Sequence, residues 1–238
     1  MTARLGMVHT VPALAERFER LAARLGGPVE VLHVVDPALL AQVVRDGEVT
    51  ATVRDRAVAH ARYLAGQGVG AVLVTCSSIG ECADLADDGS KVPVLRVDRP
   101  MAAQAVARAA APGARGRVAV LATVAATLGP TRRLLQAEAA RAGAVVDVAA
   151  NVVPDAAEAR ARGDQAGHDA RVRAAVERAV ADADVLVLAQ ASMADALASG
   201  GAGGLVTGGS GDGYGGRVLS SPVSGLRAVL AAVGVPAR

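Results

Sequence analysis

Cys76 ends the apolar run AVLVT and is followed at once by SSIGE, so a thiol stands where a hydrophobic strand gives way to a turn and the start of a helix. Unsatisfied backbone N–H groups and the helix dipole gather at such a junction and favour an anion. A free thiol ionises near pH ~8.5, and this setting is expected to lower Cys76 by one or more units, toward a reactive thiolate. Thr75, Ser77 and Ser78 add hydroxyls and backbone donors of the kind that hold a carboxylate. From this stretch alone, a buried structural cysteine with serines as caps is an equal reading. The second cysteine, Cys82, lies beyond the first turn of the following helix and reads as packing. With no CxxC and no Cys/His cluster, neither a structural disulfide nor a metal site is expected.

The elements that must position Cys76 show in the apolar pattern. Runs at 4–8, 29–35, 70–75, 92–97, 117–123, 144–150 and 184–190 are nearly continuous in apolar residues, as in strands buried on both faces of a parallel sheet. Between them, residues 12–26, 53–66, 99–111, 127–142 and 156–183 carry helix formers at amphipathic spacing, with Asp36-Pro37 and Gly129-Pro130 marking turns or helix starts. The class is α/β. A glycine-rich segment at 199–216 reads as a mobile loop, either a connector or a lid, and RVLSSPVSGLRAVLAAV then supplies a strand and a C-terminal helix.

Composition narrows the partner. The 238 residues are 52% hydrophobic, enough for a substantial core, and the formal net charge is only +2 from interspersed basic and acidic residues. No basic tract points to nucleic acid or a membrane surface. Phe18, Tyr63 and Tyr214 are the complete aromatic set, which argues against base-stacking platforms and aromatic-lined pockets. A compact polar ligand, small and neutral or anionic, fits better. The N-terminal stretch has no apolar signal core and no run of 18 apolar residues occurs, so the expectation is a cytoplasmic protein.

The pattern repeats. A strand–helix unit ending at TCSSIG is followed by a second ending at AQASMA, with Cys76 and Gln190 114 residues apart. Two pseudo-symmetric α/β lobes are expected, residues 1–98 with 217–238 and residues 99–216, each a mostly parallel sheet flanked by helices. Ligands of open α/β sheets bind at the carboxyl ends of strands, so the site is expected in a cleft between the lobes.

VLVTCSSIGE, VEVLHVVDPALL, VPVLRVDRPMAAQAV, VAVLATVAATLGPTRRLL and DVLVLAQASMADAL, in this order and spacing, resemble the aspartate/glutamate racemase superfamily, which also holds hydantoin racemases, maleate isomerases and arylmalonate decarboxylases. The likeness runs over nearly the whole chain. It implies cofactor-independent chemistry in which two cysteines, one from each lobe, remove and return the proton α to a carboxylate. Cys76 matches the first cysteine. The second position falls on Gln190, and an amide is neither acid nor base near neutral pH, so two-thiol inversion is not expected. Gln190 can instead donate hydrogen bonds to a carboxylate or enolate oxygen. The resemblance also implies substrate contacts from Thr123, Ser192, His9 and Thr10. Thr127 is either a further contact or a helix cap.

His9 is also a candidate for the missing proton-transfer group, its ordinary pKa being about 6.5, against the alternative of a partly exposed turn histidine. Arg96 and Arg99 flank Asp98, either as an anion clamp or, with more weight, in surface or inter-lobe pairs; Asp36 reads as a helix cap. The leading expectation is an isomerase that uses Cys76 alone, without a cofactor, to transfer a proton at carbon. A decarboxylase or lyase of a malonate-like acid and a non-catalytic carboxylate-binding relative are the alternatives. A dinucleotide enzyme is disfavoured, since MVHTVPA after the first strand carries no G-x-G-x-x-G. A homodimer or larger homo-oligomer is the expected assembly.

Overall fold

Strands apolar at every position must be covered from both sides, and the chain builds two four-stranded parallel sheets with helices on both faces of each. The computed structural model describes residues 2–89, 91–198 and 216–237. Two compact units emerge, Met1–Asp98 with Pro222–Arg238, and Arg99–Ser221.

In the first unit, β1 (Ala3–His9), β2 (Val29–Val35), β3 (Ala71–Val74) and β4 (Val94–Arg96) lie in the order β2-β1-β3-β4. β3 is buried at all four positions, whereas the edge strand β2, whose sequence includes Glu30 and His33, is only half-buried. On one face, α1 (Ala13–Gly26) and α10 (Ser221–Ala232) bring Phe18, Leu21, Leu25, Leu226 and Leu230 against Leu5, Met7 and Leu73. Each such side chain stabilises the unit by about 1.5–3 kcal/mol. α10 comes so close to β4 that a Cβ on Gly225 would lie 2.3 Å from the Val97 carbonyl oxygen. α3 (Ala51–Ala65) also packs on β1, with Val53, Ala57, Ala61 and Leu64 buried. α2 (Pro37–Asp46) begins as Asp36 accepts from the Ala38 N–H at 3.2 Å, the expected cap; Asp36 also pairs with Arg56 at 2.6 Å and His60 at 2.8 Å. The short α4 (Glu81–Ala86) follows a 3-10 turn at Ser77–Ile79.

The second unit repeats the topology. β5 (Arg117–Ala122), β6 (Asp147–Val152), β7 (Val185–Leu188) and β8 (Val218–Ser220) lie in the order β6-β5-β7-β8. α5 (Arg99–Ala109) and α6 (Leu128–Ala142) cover one face through Met101, Val106, Leu134 and Leu135. α8 (Gln165–Asp182) and α9 (Ala191–Ala198) cover the other through Val172, Val176, Met193 and Leu197.

Most boundaries lie within two or three residues of those read in the sequence, and three departures have a clear structural cause. The helix expected over 156–183 is two, α7 (Ala156–Ala161) and α8, because Gly163 turns the chain at φ 78°. β6 starts at Asp147, where the chain pairs with β5, and Val145 before it is 92% exposed. The return to the first unit comes at Pro222 rather than 217, since β8 pairs with β7. Apart from Gly216, the glycine-rich segment lies outside the described residues. No described helix is long and apolar enough to cross a membrane.

Candidate functional site

In an open parallel sheet, the strand order reverses at one point, and the two loops there leave in opposite directions and open a crevice at the carboxyl ends. In the first unit that point lies between β1 and β3. Val8 pairs with Val74 in register, so two residues farther along each strand stand Thr10 and Cys76. In the second unit, Leu121 pairs with Leu188 between β5 and β7, and two residues on stand Thr123 and Gln190. The correspondence extends to the last ladder bond, Thr75 N–H to Val8 O at 3.0 Å in one unit and Ala189 N–H to Leu121 O at 2.9 Å in the other. Gln190 thus occupies in its sheet the place that Cys76 occupies in its own.

Cys76 is extended (φ −113°, ψ 116°) at the head of the Ser77–Ile79 turn and is 9% exposed. Burial pushes its thiol above the ordinary range. The Thr10 hydroxyl, the Ser78 and Ile79 backbone N–H groups and the Ser78 hydroxyl pull the other way without cancelling that cost. This differs from the lowered value expected from the sequence, because withdrawal from water outweighs the donors at the turn. The thiol is therefore protonated at neutral pH, with a set of donors in place for the anion. Thr10 is 2% exposed, and its hydroxyl makes no hydrogen bond of ordinary geometry. Thr75, Ser77 and Ser78 are all buried around this turn.

His9 is wholly buried, with both ring nitrogens engaged. Nδ1 lies 2.8 Å from Thr75 Oγ1 and Nε2 lies 2.9 Å from His33 Nδ1. Desolvation, with a smaller contribution from His33, lowers its pKa to about 3. It is neutral at physiological pH and has neither nitrogen turned to an incoming substrate. The sequence alone leaves this contact out of reach, although the parallel register of β1 and β2 puts His9 and His33 two residues apart on the same face.

Gln190 is fixed through its oxygen. Oε1 accepts from the Thr123 backbone N–H at 2.6 Å and from Thr123 Oγ1 at 2.8 Å. An N–H donor can face only the oxygen end of the amide, so the remaining capacity of this side chain is the pair of N–H donors on Nε2. Ser192, half-buried, follows in the first turn of α9. Thr127 is wholly buried at the N-cap of α6 and makes no side-chain cap; its carbonyl accepts from Thr131 Oγ1 at 2.9 Å.

The sequence profile of the Asp/Glu/Hydantoin racemase family matches residues 7–203, which include both strand-end turns. The chain belongs to this family. Solved structures agree in fold. An aspartate racemase of Picrophilus torridus is similar with TM-score 0.69 at 12% identity, over 99% of this chain and 95% of that one. A glutamate racemase of Bacillus anthracis gives TM-score 0.65 at 15% identity, over 99% and 84%. A sulfate-associated mutant of arylmalonate decarboxylase gives 0.60 at 22% identity, over 99% and 96%. No curated protein matches in sequence.

The remaining polar residues of this Asp/Glu/Hydantoin racemase family member have structural partners. Arg96 is neither an exposed clamp nor a surface pair: its side chain is 2% exposed and forks onto Asp98 at 2.7 and 3.1 Å, with Asp84 at 3.3 Å. Its guanidinium lies against Gly80, where a Cβ would meet Nη2 at 2.6 Å, so a fixed ion pair underlies the turn that carries Cys76. Arg99 reaches Glu138 at 3.3 Å. Cys82 is buried, and burial together with Glu81 pushes its thiol up to about 11. Among the described residues no group of three or more His, Cys, Asp or Glu is placed to hold a metal ion.

Proposed function

We propose that the protein is a cofactor-independent isomerase that moves a proton at a carbon next to a carboxylate or carbonyl, with Cys76 as the single acid–base group. The observation that carries this reading is the unequal pair of strand ends: a thiol with four anion-stabilising donors at one, a locked amide at the other. Burial keeps most of Cys76 protonated, and the ionised fraction takes the α-proton: the C–H bond breaks as S–H forms, and the electron pair moves into the adjacent carbonyl as an enolate. The thiol then returns a proton to the α-carbon, which leaves the substrate exchanged but otherwise unchanged, or to the second carbon of an enediolate or dienolate, which isomerises it. An amide is neither acid nor base near neutral pH, so Gln190 supplies hydrogen bonds to an anionic oxygen.

A second reading draws on the raised pKa of Cys76. A thiol protonated at neutral pH is a ready acid, which suits protonation of the enediolate left when a malonate-like acid loses CO2. The fold likeness to arylmalonate decarboxylase is in keeping with this reading.

Solvent-deuterium incorporation followed by NMR tests both, over amino acids, hydroxy acids, malonates and hydantoins, with Cys76→Ala beside the parent. Exchange or CO2 release lost in Cys76→Ala supports Cys76 as the acid–base group. Turnover that survives that substitution removes the mechanism.

A further inference from the structure

Two buried polar residues, His9 and Thr75, and the half-buried His33 form a chain beneath Cys76. Thr75 Oγ1 lies 3.0 Å from the Val8 carbonyl, which only accepts, so the hydroxyl proton goes there. The same oxygen therefore accepts from His9 Nδ1–H, leaving His9 Nε2 bare to accept from His33 Nδ1–H. His33 Nε2 is left as a buried lone pair with no partner. The opposite assignment makes one bond fewer and strands an N–H there, which costs more. The chain ends on a carbonyl rather than on sulfur, so it orients groups and carries no proton to Cys76.

The second unit shows that the fold does not require this chain. Through the strand registers, His9 corresponds to Ala122, Thr75 to Ala189, and His33, paired with Met7, to Ala150, paired with Val120. All three polar residues are alanine in the sheet that ends in Gln190 and are present in the sheet that ends in Cys76. Desolvating an imidazole is costly, and the same topology forms without it.

We infer that His9, held in one tautomer by His33, is a positioning residue that ties the ends of β1 and β3 together through Thr75 and so fixes the register position of Thr10 beside Cys76. This rests on Cys76 being the reacting thiol. The groups around the pair are Phe18 from α1, whose ring centroid is 5.9 Å from that of His9, Glu19 from α1, which acts on His33, and Thr75 from β3. Protonation of His9 at Nε2 would set donor against donor at His33 and break the link.

The test uses the full chain in a Cys82→Ala background. The rate of iodoacetamide alkylation of Cys76 is measured against pH for His9→Leu, His9→Asn and His33→Phe, and nitrogen-15 NMR reads the imidazole tautomers. The expected result is an alkylation midpoint at least half a pH unit higher in His9→Leu and His33→Phe, restored in His9→Asn, whose Nδ2–H donates where Nδ1–H does. In the parent, the His9 proton is expected on Nδ1 at all pH values from 5 to 9. Overlapping profiles for His9→Leu and the parent, an Asn variant as shifted as the Leu variant, or a proton on His9 Nε2 would overturn the inference. If His9→Leu does not fold, the Asn variant and the NMR result still decide. A Cys76 whose loss leaves turnover intact, with the profiles shifted as expected, would count against the proposed reaction and not against the positioning.

Discussion

Thr123 grips the side-chain oxygen of Gln190 twice, through its backbone N–H and through its hydroxyl. Those two hydrogen bonds to one atom orient the amide and fix which end of it is left for chemistry. In the other sheet Thr10 stands at the same register position beside Cys76, so the two units use one geometry for two different end groups.

Gln190→Glu keeps acceptors for Thr123 but removes both N–H donors and adds a negative charge. Steady-state kinetics on whichever carboxylate passes the deuterium screen should show KM raised by about one to two orders of magnitude, the worth of one or two charge-assisted hydrogen bonds. An unchanged KM would detach Gln190 from anion binding. Gln190→Cys places a second thiol at the corresponding strand end, and polarimetry on an enantiopure substrate should then detect inversion that the parent lacks.

The fork from Arg96 to Asp98 should be far more sensitive to loss of one partner than of both. Arg96→Leu leaves Asp98, which is wholly buried, as an uncompensated carboxylate, at about 3–5 kcal/mol in urea denaturation. Arg96→Leu with Asp98→Leu should recover most of that stability, and a double variant as unstable as the single would contradict the pairing. Gly80→Ala should slow Cys76 alkylation, because its methyl group displaces the guanidinium under the turn.

Gly225→Ala should destabilise the chain by several kcal/mol, on the order of the overpacking penalties of a filled core, since its Cβ meets the Val97 backbone rather than a movable side chain. A melting temperature within a degree of the parent would show that α10 can move away from β4.

Stability should fall at both ends of the pH range, for opposite reasons. His9 binds a proton in the unfolded chain near its ordinary value of 6.5 and in the folded chain only near 3, so stability present above pH 6.5 is lost as pH falls toward 3. The thiols of Cys76 and Cys82 are raised, so the folded protein holds protons that the unfolded chain gives up, and stability is lost as pH rises above about 8.5. Urea midpoints across pH 4–10 should trace this dome, and Cys82→Ala should flatten its alkaline side.

Much of this was legible without coordinates. Continuous apolar runs such as AVLV and VLVL specify strands buried on both faces, the helical spacing between them specifies parallel crossovers, and the repeat of that pattern specifies two similar sheets. The break from strand to turn after Thr75 located Cys76, and the matching phrase located Gln190. The edge strand β6 was less legible, because it has a neighbour on one side only and its pattern is diluted by solvent, whereas β2 coincides with the run read at 29–35. What only the tertiary structure decided is electrostatic and cross-strand. Whether the thiol rises or falls depends on how much water the packed unit excludes from it, and the partners of His9, Arg96 and Gln190 lie on other strands, at distances set by register and not by spacing along the chain.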